Sequence, residues 1–143
     1  MRSYRKAIRA LYALAFIGGG VSHFFFGRLM PDSYAAFADT AMLPWLHELW
    51  RAFVMPNIGW LTIVLGLFEI ACGAGMLHRR TAVVSTWAML GFLVFVTVLG
   101  YGWPTASLGE DLLKNRFSTI VMALPLIPLL AKARTVRNPT TGY

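Results

Sequence analysis

Apolar residues dominate four long stretches of this chain, at residues 10–26, 57–77, 81–103 and 117–131. The hydrocarbon core of a bilayer is ~30 Å thick, and a helix needs roughly 20 apolar residues to cross it. Because lipid offers no partner for backbone polar groups, stretches of this length form helices rather than single strands. The pattern therefore predicts an all-α integral membrane protein, a bundle of four transmembrane helices.

The fourth stretch is the least regular of the four. It spans residues 117–131, and Pro125 and Pro128 interrupt it. Because this is short for a membrane helix, we expect the helix to start before Arg116 and the Arg116 side chain to extend to the headgroup region.

The N-terminal basic segment could be the start of a secretory signal peptide. No small-residue cleavage pattern follows Phe26, so we expect the first helix to be retained. The polar segments between the stretches are too short for a soluble module. Residues 1–143 are therefore predicted to form a single transmembrane domain.

The connection between the first two stretches is long and rich in aromatic residues. Its interfacial part, about residues 32–55, shows two apolar stripes at helical spacing, separated by Pro44. Two short amphipathic helices on the membrane surface would fit this pattern, with tryptophans at headgroup level. They would form either a cap over the bundle or a lid over a lipid-accessible cavity.

The distribution of charged residues predicts how the protein is oriented in the membrane. The chain is 57% hydrophobic and only 13% charged, and its net charge is +7. Lys and Arg predominate at the N-terminus, at the turn between the second and third stretches, and in the tail, which predicts that both termini are cytoplasmic. This asymmetric distribution accounts for the excess of basic residues. We therefore expect the partner of the protein to be a lipid bilayer and not a nucleic acid. The residues on the predicted cytoplasmic side are Arg2, Arg5, Lys6, Arg9, Arg79, Arg80, Lys132, Arg134 and Arg137.

Glu69 is the one acidic residue inside an apolar stretch. A charged group at this depth costs several kcal/mol unless it faces protein, water or a partner. Gly59, Thr62, Gly66 and Gly73 lie on the same stripe of the second helix as Glu69. Small residues allow close approach of another helix, so we expect Glu69 to point into the bundle.

The first helix carries a similar face, made of Gly19, His23 and Gly27. We expect these two small-residue faces to pack together. Glu69 lies 12 residues from the start of its stretch, roughly 18 Å along a helix, whereas His23 lies near the end of its own, so the two are predicted to sit at different depths. A water or a ligand would then connect them. Other potential partners of Glu69 are Tyr12, Ser22, Ser85, Thr86, Thr97, Ser118 and Thr119.

Several kinds of chemistry are excluded by the residues present. Cys72 is the only cysteine, so no disulfide or dithiol centre forms within the chain. The three histidines lack the spacing of a metal site. We assign no metal ligand and no catalytic residue. Three interpretations of Glu69 stay open: a structural carboxyl that fixes helix register, a subunit contact, or a ligand-binding or proton-handling group with His23 and Thr62.

Two segments resemble the DoxX-like family of small bacterial membrane proteins. They are GGGVSHFFFGRLMPDSYAAF at residues 18–37 and GLFEIACGAGMLHRRTAVVSTWAML at residues 66–90. The resemblance implies a four-helix fold in the bacterial inner (plasma) membrane and association with redox or stress systems. It leaves the cofactor unknown, with a quinone as the candidate. The positions that match the family pattern are His23, Phe24, Gly66, Glu69, Gly73 and Arg80.

Three functions remain open. We favour a non-catalytic membrane component that assembles with a membrane protein or a second copy of itself, or binds a lipid or quinone near Glu69. The second is an enzyme that acts on a lipid-soluble substrate with Glu69 as acid or base. The third is a small proton-coupled exporter, in which the Glu69 carboxyl would alternate between a proton and a cationic substrate.

Overall fold

The computed structural model describes residues 2–131, and these contain no strand. Short turns link the helices, some of which continue into one another through 3₁₀ or π turns. The α-helices are α1 Arg2–Leu29, α2 Pro44–Leu49, α3 Ile58–Leu77, α4 Ala82–Leu99, α5 Leu108–Asp111, α6 Phe117–Ala123 and α7 Ile127–Ala131.

Four helical segments of this structure are long and apolar enough to cross a membrane: Ser3–Leu29, Pro44–Leu77, Ala82–Leu99 and Leu108–Ala131. The predicted all-α bundle of four spans is thus confirmed. In the last segment a π turn joins α5 to α6 and a 3₁₀ turn joins α6 to α7. As predicted, this fourth span begins before Arg116.

The second span is longer than a bilayer requires. Its 34 residues would extend roughly 50 Å as an α-helix, against a hydrocarbon core of ~30 Å. A π turn at Trp50–Val54 and a 3₁₀ turn at Met55–Asn57 carry the chain from α2 into α3 without a break. Pro56 fits there because it occupies the first turn of a new segment, where a missing N–H costs little. The second predicted interfacial helix is therefore an extension of the second span.

α1 and α3 are antiparallel and make the most extensive helix contact among residues 2–131. A Cβ atom on Gly20 would lie 2.5 Å from the Gly66 carbonyl oxygen, and one on Gly66 would lie 2.6 Å from the Gly20 carbonyl oxygen. A Cβ on Gly73 would lie 2.8 Å from the carbonyl oxygen of Ala13. Only glycine allows backbones to approach this closely.

The bundle has two distinct ends. Residues 31–57, which we call the cap, cover one of these ends. We call this end of the bundle the cap end. Thr40 Oγ1 donates to the Leu99 carbonyl at 3.1 Å, and the Met42 N–H donates to the Val98 carbonyl at 2.9 Å. These bonds attach the cap to the end of α4. The opposite end, where α1 begins and α3 turns into α4, is the arginine end.

The four spans present apolar side chains outward. In the most apolar part of each span, only 28% of the residues are buried in three of the spans, and 33% are buried in Pro44–Leu77. Trp60 and Trp103 are exposed towards the cap end, and Trp87 is exposed nearer the arginine end. Tryptophan is enriched at both interfaces of a membrane, so these positions agree with a membrane protein. The basic tail residues Lys132, Arg134 and Arg137 lie outside the described residues.

Candidate functional site

Glu69 projects from α3 into the bundle and contacts His23 of α1. Its Oε1 lies 3.4 Å from Nε2 of His23, and the Glu69 side chain is only 7% exposed. Gly19 makes room for the carboxylate, because a Cβ there would stand 2.7 Å from Glu69 Oε2. The two small-residue faces thus pack around Glu69, which is the most strongly buried of the six acidic residues.

The two side chains do not lie at the separate depths predicted from residue counts. Gly19 lies beside Glu69, and His23 is one helical turn, or about 6 Å, further along α1. Helical side chains tilt towards the N-terminus of their own helix. Since α1 and α3 are antiparallel, His23 and Glu69 tilt towards each other and close this gap.

The second ring nitrogen of His23 contacts the cap. Nδ1 lies 2.7 Å from the hydroxyl of Tyr34, which is 6% exposed. Burial, and then the nearby Glu69 carboxylate, raise the pKa of the Tyr34 phenol. If the phenol donates to Nδ1 of a neutral imidazole, the imidazole proton lies on Nε2, facing Glu69. The three residues form a chain running from phenol to imidazole to carboxylate.

Aromatic residues of the cap hold Tyr34 in place. The indole Nε1 of Trp50 donates to the Tyr34 carbonyl oxygen at 2.8 Å. Phe37 stacks on Tyr34 with 6.0 Å between ring centroids, and its ring lies 5.9 Å from that of Trp50. The cap therefore contributes directly to the site.

A cavity of about 230 Å³ lies between the four spans beneath the cap. Glu69, His23 and Tyr34 form its polar wall, and Thr119 of the fourth span also lines it. The rest of the lining is mainly apolar and aromatic. It consists of Ala15, Phe16, Gly19, Phe37, Trp50, Leu65, Phe92, Leu93, Phe95, Val96, Leu99, Tyr101 and Met122.

Other residues singled out from the sequence lie outside this cavity. Thr62 is buried, but its hydroxyl donates to the Ile58 carbonyl at 2.8 Å, and its side chain packs against Gly27. Thr62 therefore belongs to the α1–α3 contact. Gly59 is exposed, and a Cβ atom added to it would have no neighbour within 4 Å, so it takes no part in that contact.

Most of the other potential partners of Glu69 make bonds elsewhere. The Tyr12 hydroxyl donates to the Met122 carbonyl, and Ser22 donates to Gly19 at 2.6 Å. Thr97 and Thr119 bond to each other at 2.7 Å. Among the contacts of the described residues, His23 is the group that approaches the Glu69 carboxylate as an ion-pair partner.

Arg116 is buried, contrary to the prediction that its side chain reaches the headgroups. Its Nε donates to Asp111 Oδ2 at 2.7 Å, and its side chain is only 6% exposed. Its terminal nitrogens donate to the Thr40 carbonyl at 2.7 Å and to the Thr97 carbonyl. The guanidinium thus joins the cap, α4 and the fourth span, using carbonyls that a helix end leaves unpaired.

Sequence reasoning does not assign Tyr34 or Trp50 to the site. The pattern places Tyr34 only on an apolar stripe. The available signal is its hydroxyl, because a buried phenol usually finds a hydrogen-bond partner. That partner, His23, lies on another helix and is brought to Tyr34 by the folding of the cap.

No protein-family model, curated protein sequence or solved structure matches this chain. Within the described residues, no three His, Cys, Asp or Glu side chains come close enough together to hold a metal ion. The groups in the cavity lining that can take part in chemistry are one carboxyl, one imidazole and the phenols of Tyr34 and Tyr101, on a mainly apolar wall. These groups can donate and accept hydrogen bonds and transfer protons.

Proposed function

We propose that this protein binds a small lipid-soluble molecule in the cavity beside Glu69, without chemically changing it. The observation that carries the proposal is the chain of Tyr34, His23 and Glu69 on the wall of an apolar cavity. Ligand sites are typically apolar, with a few polar groups that fix orientation. This cavity has that composition.

The contact between His23 and Glu69 leaves hydrogen-bonding capacity for a ligand oxygen beside the pair. At 3.4 Å the pair is longer than a normal hydrogen bond of 2.7–3.2 Å, so its donor and acceptor are not fully used by each other. A carbonyl oxygen could accept from the His23 Nε2–H, and a hydroxyl could donate to the carboxylate. A quinone and its reduced form present these two groups.

The size of the cavity favours a single substituted ring. A cavity of about 150 Å³ is enough for benzene, and this one measures about 230 Å³. The aromatic lining would pack against a planar ring. A longer apolar tail would have to leave the cavity between the helices.

We further propose that the ligand enters from the bilayer. Ala15 of α1 and Phe95 of α4 line the cavity and are also exposed. Both belong to apolar spans, so exposed surface at these positions faces lipid. A lipid-soluble molecule could pass between these helices without crossing water.

The family and location remain part of this proposal. Two of the residues that resemble the DoxX-like family, His23 and Glu69, contact each other, and two more, Gly66 and Gly73, bring α1 close to α3. We propose a DoxX-like protein of the bacterial inner membrane with both termini in the cytoplasm. The exposed apolar faces of the spans would be available to a membrane protein partner or to a second copy of the chain.

An enzymatic role is the second candidate, and the hydrogen-bond chain is the observation that favours it. A carboxylate, an imidazole and a phenol in sequence could deliver or remove a proton from a substrate in the cavity. In that case Glu69→Gln would keep substrate binding within a few-fold and abolish turnover. If the function is binding alone, the same substitution weakens binding.

The first test is a titration of the detergent-purified protein with a short-chain benzoquinone, followed by fluorescence because Trp50 lines the cavity. A parallel titration uses the corresponding hydroquinone, whose hydroxyl can donate to a carboxylate. We expect His23→Gln to weaken binding of the benzoquinone and Glu69→Gln to weaken binding of the hydroquinone, each about 10-fold. A hydrogen bond to a charged group is worth about 1.5–3 kcal/mol, and this loss corresponds to the lower end of that range.

Matched controls use residues of the same type away from the cavity. Glu48 is exposed in the cap and His78 is exposed at the end of α3, so Glu48→Gln and His78→Gln should bind like the wild type. Equal affinity in the cavity variants and the controls would contradict the proposed site.

A further inference from the structure

A second and larger cavity lies at the arginine end of the bundle. It measures about 730 Å³ and is formed by the start of α1, the end of α3, the start of α4 and Leu129 of α7. Four cationic side chains line it: Arg5, Lys6, Arg9 and Arg79. We call this cavity the basic crevice.

Two of these guanidinium groups are held in position by the backbone. Arg9 Nε donates to the Met76 carbonyl at 2.6 Å, and Arg5 donates to the Pro128 carbonyl at 3.1 Å. Each bond uses one of the five N–H donors of a guanidinium group. The remaining donors are available in a fixed place, as anion recognition requires.

The chain supplies no acidic side chain to neutralise the basic crevice. Its six Asp and Glu residues all lie elsewhere: Asp32, Asp39 and Glu48 in the cap, Glu69 in the other cavity, and Glu110 and Asp111 at the start of the fourth span. Four clustered cations without an acidic partner attract an anion from outside the chain. Phosphate suits them because arginine binds its oxygens with paired donors.

The wall below the cations is apolar. Leu77 is 62% exposed and Val83 is 37% exposed, and both line the crevice. A free phosphate would leave this surface uncovered, whereas a phospholipid would place its phosphate among the cations and its acyl chain along the wall. We propose that the basic crevice binds an anionic phospholipid through its phosphate group.

Native mass spectrometry of the full chain in a neutral detergent tests this proposal. We expect phosphatidylglycerol to bind at least five-fold more tightly than phosphatidylcholine. Glycerol phosphate at the same concentration, which lacks acyl chains, should not displace it. Equal binding of the two lipids would overturn the proposal, and displacement by glycerol phosphate would show that the crevice takes soluble phosphates instead.

Paired substitutions locate the lipid. Lys6 and Arg79 are exposed, so replacing both with Gln should leave the fold intact. Each basic residue near an anionic surface is worth about 1 kcal/mol, so the double variant should bind phosphatidylglycerol about 30-fold more weakly. Arg28→Gln with Arg51→Gln removes the same charge at the cap end and should change binding less than two-fold. An equal loss in both double variants would mean that only net charge matters, and would also overturn the proposal.

Discussion

Single residues on the facing stripes of α1 and α3 explain why a carboxyl group can be buried in this bundle. Gly66 and Gly73 bring the backbone of α1 close, and Gly19 leaves the space that the Glu69 carboxylate occupies. His23 then supplies the nearby polar group. Sequence spacing was enough to predict that Glu69 points inward. It was not enough to select His23, because that contact depends on the register of two antiparallel helices and on the tilt of their side chains.

Gly66 should not tolerate a side chain. A Cβ on Gly66 would lie 2.6 Å from the Gly20 carbonyl oxygen, and backbone atoms cannot move aside as a flexible side chain can. We expect Gly66→Ala to lower the free energy of unfolding by about 1–3 kcal/mol, the usual cost of overpacking. Thermal unfolding in detergent would measure this.

Gly18 provides the matched control for Gly66. It is also helical, but no atom lies within 4 Å of a Cβ built on it. Because alanine is favoured over glycine in a helix by about 1 kcal/mol, Gly18→Ala should be as stable as the wild type or more so. If both variants unfold at the same temperature, the α1–α3 contact is not as close as described.

Among the secondary-structure elements, the cap is the one that completes the site. It supplies Tyr34, Phe37 and Trp50 to the cavity and is fastened at Thr40 to the end of α4 and to Arg116. The sequence predicted an interfacial segment here, since its apolar stripes and tryptophans can be recognised from residue spacing alone. It did not predict the buried role of Arg116, because an arginine beside an apolar stretch usually extends to the headgroups.

Replacing Arg116 should loosen the cap. Arg116→Gln would leave Asp111 without its ionic partner and remove the bond to the Thr40 carbonyl. Breaking a buried pair costs about 3–5 kcal/mol. We expect about 3 kcal/mol here, since the Asp111 side chain is 21% exposed. The loss should appear as a lower unfolding temperature and as faster proteolysis of residues 31–57.

Lys114 offers a comparison within the same span. It pairs with Glu110 at the surface, with the two side chains 47% and 36% exposed. Exposed ion pairs contribute about 0.2–1 kcal/mol, so Lys114→Gln should change stability little. A loss as large as that of Arg116→Gln would show that burial is not what makes the Arg116 pair important.

At the scale of the whole molecule, the cavities at the two ends are lined by different chemical groups. The cap end holds a mostly apolar cavity with one carboxyl, one imidazole and two phenols, and the arginine end holds a basic crevice. The number of spans and the fold class were predictable because apolar stretches can be recognised directly from the order of residues. The lining of the cavity beside Glu69 was not, since it comes from segments as distant in sequence as Ala15 and Met122.

The most direct test of the central claim fills the cavity beside Glu69. Val96 of α4 lines this cavity, whereas Val94 on the same helix is 61% exposed. Protein purified in mild detergent would be analysed by mass spectrometry for a co-purified small lipid-soluble molecule. We predict that the wild type and Val94→Trp retain the molecule and that Val96→Trp loses it. Equal retention by Val96→Trp, with the fold intact, would contradict the account.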